Sequence, residues 1–152
     1  MHSMKSIIRI ALLAILPVAF IISCKPKVDP ISERVKKVWI ARIVKENGSV
    51  VYSNGSSSNI KEAYSSYRLN LSNAPTATIT EVDGQSYTGT YTVQNDNKIV
   101  ISGITPEPTG TGGVLEYSIL SISDDNVDLV LKLDTAYPKT GNTTNEYTLI
   151  AQ

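Results

Sequence analysis

The sequence predicts an all-β chain: an eight-stranded antiparallel up-and-down barrel with a short N-terminal helix. Three observations predict it. Segments of alternating polar and apolar residues recur from Val38 to the C-terminus, rich in Thr, Val, Ile and Tyr. Turn residues punctuate them: Asn47-Gly48, Asp83-Gly84, Asn95-Asp96-Asn97 and Asp124-Asp125-Asn126. The connections also sort by length, and this favours a barrel over a Greek-key sandwich.

The elements follow in order. Asp29 is a candidate helix cap, Pro30 suits the first helical position, and Ile31, Val35 and Val38 fall on one face, so a short helix is expected over Pro30 to Lys37. The first strand runs from Val38 to Glu46 and holds the only tryptophan, Trp39. Val50-Val51-Tyr52 either continues it after a bulge or folds back as a short return strand. A polar loop spans Ser53 to Ser66. Strands are then expected at 67–71, 76–82, 87–94, 98–102, 114–123, 127–133 and 146–151, with loops over 103–113 and 134–145. The fourth strand sets Tyr87, Gly89, Tyr91 and Val93 on one face and Thr88, Thr90 and Thr92 on the other.

Connections after the first, fifth and seventh strands are long; those after the second, fourth and sixth are short, and only the short one after the third strand, at Asp83-Gly84, breaks the pattern. In an up-and-down barrel alternate connections share an end, so one end becomes a mouth ringed by three long loops and the other a base of tight turns. A true hairpin at Asn47-Gly48 would add a strand and carry the first long loop to the other end.

The N-terminus reads as export signal. Lys5 and Arg9 supply positive charge, an apolar run follows to Ile22, and Pro17 keeps it too short to span a bilayer. Ile21-Ile22-Ser23-Cys24 resembles the lipobox of bacterial lipoproteins, in which a small residue precedes a cysteine that becomes the acylated N-terminus. The resemblance implies a signal peptide over 1–23, lipidation (palmitate among the acyl chains) at Cys24, and a linker over 24–29. It implies a lipid-anchored protein of the bacterial cell envelope. Lys25, where lipoproteins of the inner membrane often carry Asp, points to the outer membrane. Several acyl chains would hold firmly where one binds reversibly.

Residues 30–152 form the expected domain, one by length. Helical turn, early Trp39, eight strands and a closing strand resemble the lipocalin-like lipoproteins of bacteria, within the calycin group. Lys37 stands where lipocalins usually have Gly, two residues before the tryptophan, and the last strand lacks their frequent Arg. The resemblance implies a barrel whose base is plugged by Trp39 and whose interior holds a small apolar or amphipathic ligand. An eight-stranded barrel can equally be filled by its own side chains; it would then be an interaction module, taking an envelope protein or a glycan through its loops.

Composition excludes several chemistries. Removing Lys5 and Arg9 leaves 12 of 14 basic side chains against 14 acidic ones, with no basic run, which argues against nucleic acid. The chain's single histidine, His2, precedes the cut, and the single cysteine would be acylated. Ser-His-Asp, Cys-His and His- or Cys-based zinc sites are therefore not expected. Asp124, Asp125 and Asp128 are the densest acidic group, read as a solvated turn rather than a calcium site. No enzyme activity and no cofactor are expected. The candidate ligand-binding residues are the tyrosines Tyr67, Tyr87, Tyr91 and Tyr117, each an apolar body with a polar tip. Tyr52, Tyr64 and Tyr137 lie near the long loops as candidate mouth residues.

Overall fold

The structure, a computed structural model, describes residues 28–152. The expected signal peptide, Cys24 and the first part of the linker lie outside the described residues. Within them the chain is a closed eight-stranded antiparallel barrel with one short helix, α1 (Ile31–Arg34). The strands are β1 (Val38–Glu46), β2 (Ser49–Ser53), β3 (Arg68–Asn70), β4 (Thr76–Thr80), β5 (Ser86–Gln94), β6 (Lys98–Thr105), β7 (Leu115–Ile122), β8 (Asp128–Leu133) and β9 (Asn145–Ala151). The sheet order is β2-β1-β3-β4-β5-β6-β7-β8-β9, and β1 pairs with β9 to close the ring.

β2 is the added strand. Asn47 and Gly48 both take positive φ, 50° and 79°, the conformation a two-residue hairpin requires and a glycine adopts freely. The hairpin nevertheless leaves the first long loop at the mouth. β2 covers only Ile43 to Glu46 of β1, and β3 pairs along the same edge with Val38 to Ile40. The chain between them stays at the Glu46 end, where Lys61 bonds that carboxylate. This loop also seals the outer edge of β2: Lys61 N donates to Val51 O, and Asn59 bonds both Ser53 N and Ser53 O.

All three long loops therefore share one end with the β4–β5 turn. The base carries α1 and the turns at 71–75, 95–97 and 123–127. Asp29 does not cap α1; Pro30 holds the cap position with no side-chain bond. Trp39, fully buried, plugs the base and donates from Nε1 to Val35 O at 2.8 Å. Arg34 bonds Asn126 Oδ1 and Ser123 O, and Lys37 bonds Asn126 O, tying the helix region to the β7–β8 turn. Asp125 caps that same turn through Ser123 and Val127 N, while Asp128 ion-pairs with Arg42 at 2.9 Å.

Inward-facing residues stack in layers from base to mouth. The base layer is Trp39, Leu71, Ala77, Tyr91, Ile99, Leu129 and Leu149; the middle layer holds Val44, Leu69, Ile79, Ile101, Tyr117, Leu131 and Tyr147. The mouth layer holds Glu46, Tyr67, Glu81, Tyr87, Ile104, Leu115, Leu133 and Asn145. All are buried. A Cβ on Gly89, in the middle layer, would sit 2.7 Å from Ser102 O, where the β5–β6 register shifts. The gap at Gly89 is thus filled by backbone and by Ile101 and Ile104, and serves the bend of the wall.

Candidate functional site

The alternation that makes β4 a strand aims Ala77, Ile79 and, just beyond it, Glu81 inward, so a carboxylate lands in the mouth layer. Tyr137 Oη donates to Glu81 Oε1 at 2.8 Å. Burial raises the Glu81 pKa, with the Tyr137 bond and the Lys139 charge opposing. A second buried carboxylate, Glu46, accepts from Tyr64 Oη at 2.7 Å and from Lys61 Nζ at 2.6 Å. Asn145 Nδ2 donates to Tyr147 Oη at 3.0 Å. Tyr67 stacks on Tyr147 with ring centroids 4.9 Å apart, and Tyr64 and Tyr117 meet Tyr147 edge-on. Burial and the nearby carboxylates hold the hydroxyls of Tyr64, Tyr117 and Tyr137 protonated, their pKa values pushed far up.

Above this layer lies an open groove of about 380 Å³, lined by Asp83, Gln85, Tyr87, Pro106, Glu107, Thr109, Pro138 and Lys139. Three segments build it: the β4–β5 turn, the β6–β7 loop and the 3-10 turn Pro138–Thr140. Lys139 Nζ lies 4.5 Å from the centre of the Tyr87 ring, bonds the Tyr87 hydroxyl, and pairs with Asp83 Oδ2 at 2.5 Å. Burial pulls the Lys139 pKa down, but its bonds to Asp83 and Tyr87 outweigh that and it rises. Burial likewise pushes Asp83 up, and the Lys139 and Gln85 bonds outweigh it, so Asp83 stays ionised to lower pH. Glu107 Oε1 accepts from Gly112 N at 2.9 Å, which fixes the loop wall.

The four tyrosines proposed from sequence do not form one site. Tyr87 alone lines the groove. Tyr67 and Tyr117 are fully buried below it. Tyr91 shares the inward row of Tyr87 but sits at the base, where its hydroxyl donates to Leu71 O at 2.9 Å. The expectation that Tyr91 points with Tyr87 into a cavity at the mouth is corrected: the row runs the length of the wall, and its two tyrosines reach opposite ends. The Ser53 to Ser66 loop contributes no residue to the groove; its Tyr64 is driven inward as a plug, as are Tyr52 and Tyr137. Sequence reasoning missed Glu46 and Glu81. The parity of β4 marks Glu81 as inward, whereas the bulge at Arg42 shifts the parity of β1 and hides Glu46. Among the described residues no group of three or more His, Cys, Asp or Glu is placed to hold a metal.

Searches against protein-family models, curated proteins and solved structures returned no match to this chain.

Proposed function

We propose that this chain is a non-enzymatic, lipid-anchored protein of the bacterial cell envelope, built like the lipocalin-like lipoproteins, and that it acts as an interaction module binding a glycan at the mouth of a filled barrel. One observation carries the choice over an internal apolar ligand: buried side chains point inward from seven of the eight ring strands in the base and middle layers and from all eight at the mouth, while the open groove lies at the loop end. A groove offering carboxylate, amide, hydroxyl and ammonium groups beside proline and tyrosine surfaces suits a hydroxyl-rich ligand. Polar groups fix its orientation and flat apolar faces receive its C–H surfaces. The anchor at Cys24 would bring that groove close to the envelope's own polysaccharide.

The test titrates purified full chain with envelope-derived oligosaccharides by calorimetry, beside a fatty-acid titration followed by Trp39 emission. Saturable glycan binding that Gln85→Ala with Glu107→Ala weakens at least tenfold supports the reading. Fatty-acid binding that shifts Trp39 emission, with no glycan response, would restore the internal-ligand alternative. Cys24→Ala should leave the membrane fraction; tight retention after a salt wash would sink the anchor.

A further inference from the structure

Among the described residues four buried side-chain polar atoms lack a hydrogen-bond partner; one, Asp128 Oδ1, ion-pairs with Arg42, and the other three, Glu81 Oε2, Tyr67 Oη and Tyr117 Oη, belong to residues that face the barrel interior. Glu81 is 1% exposed and the two tyrosines 0%. Buried polar groups are normally paired, so each such atom calls for an explanation. These three share one. The β3–β4 register sets Leu69 opposite Ile79 and ends at Arg68 opposite Thr80; Tyr67 and Glu81 are the next residue on each side, both buried. Tyr117 approaches from β7, on the opposite wall, and packs its ring on Tyr147 at 6.2 Å, the same ring that Tyr67 stacks upon. The Tyr67 and Tyr117 hydroxyls face each other closely enough to shift each other's protonation, though without the geometry of a full hydrogen bond, and the charge of Glu81 bears on both.

We propose that the barrel encloses a polar site between Glu81, Tyr67 and Tyr117 that binds water. The chemistry selects the guest. Glu81 Oε2 and two phenolic hydroxyls offer both donors and acceptors at one point, and water, with two of each, can bridge them. An apolar guest would leave all three unsatisfied. The site also lies directly under the groove: Glu81 is two residues from Asp83, and Tyr137, which bonds its other oxygen, precedes Pro138 and Lys139. The guest thus lets a carboxyl group stand inside the barrel as the inner support of the mouth loop. The inference stands whether or not the groove binds a glycan.

A crystal structure of the full chain at high resolution tests it. The expected result is ordered solvent within about 3.2 Å of at least two of the three atoms, absent from the Tyr67→Phe, Tyr117→Phe double variant. Direct hydrogen bonds among the three groups with no solvent between them, or a dry site, would overturn it. Should the double variant not fold, magnetisation transfer from long-lived water to the amide protons around Tyr67, Glu81 and Tyr117 in the unaltered chain decides instead. Its presence supports the site and its absence sinks it.

Discussion

At the base of the barrel the interior is Trp39, Leu71, Ala77, Ile99, Leu129 and Leu149, and the indole nitrogen is satisfied by Val35 O. At the mouth it is Glu46, Tyr64, Tyr67, Glu81, Tyr137 and Asn145, held by a hydrogen-bonded network of uneven completeness. Both ends are buried, but by different physics. The base gains from burying apolar area, which needs no directional match. The mouth removes carboxyl and hydroxyl groups from water, and that is neutral at best unless each finds a partner. A barrel selected for stability alone would repeat the base at both ends. The polar mouth layer lies beneath the groove and supports the loops that form it, so the stability given up there goes into holding those loops.

Substitutions at the two ends should separate these contributions. Trp39→Ala should be the most damaging, costing about 3–5 kcal/mol in equilibrium denaturation, and the native Trp39 emission should be blue-shifted; emission typical of exposed indole would break the account of the base. Glu46→Ala, which strands the buried Tyr64 hydroxyl and deprives Lys61 of its partner, should cost about 2–3 kcal/mol, and Glu46→Gln less. An equal loss from both would mean that charge rather than shape matters at the mouth. Gly89→Ala tests the wall between the ends. The added methyl meets Ser102 O, so a loss of about 1–2 kcal/mol is expected, and an unchanged midpoint would show that the β5–β6 bulge yields freely.

The smallest effect should come from Glu81→Gln, and its sign depends on pH. Burial raises the Glu81 pKa in the folded chain above its unfolded value. The folded state then binds the proton more tightly, so this group's contribution is fully present below the unfolded pKa and is lost as pH rises through the folded one. Glutamine stays neutral throughout. The variant should therefore gain on the unaltered chain between acid and neutral pH, by up to about 1 kcal/mol once the Tyr137 bond to an anion is forgone. Denaturation midpoints that run parallel across that range would remove the distinction drawn between the two ends.

The barrel was legible because a half-buried sheet writes its alternation into neighbouring residues. The first strand falls on Val38–Glu46 as expected, and the long connections gather at one end. The uncertain stretch at Asn47-Gly48 resolved as a hairpin, yet its consequence depended on how far β2 reaches along β1, a length set by competition with β3 for one edge. The site was less legible. Tyr87 was found from its row, but Lys139 and Asp83 are 56 residues apart and meet only through the fold. Asn145 lay at a loop boundary, and the bulge at Arg42 reversed the parity that would have turned Glu46 inward.

By itself, the sequence determined the ring strands and their turns, which rest on residues within a few positions of one another, and the sorting of loops by length; the place of the tryptophan at the base followed from the resemblance to lipocalins. The tertiary structure alone decided that Tyr87 and Tyr91 reach opposite ends, that Tyr64 and Tyr137 turn inward as plugs, and that two carboxyl groups sit among buried tyrosines. The reason is that a side chain's height along a barrel, and the groups it meets across the interior, depend on register, bulges and closure, and these are fixed only when distant strands pair.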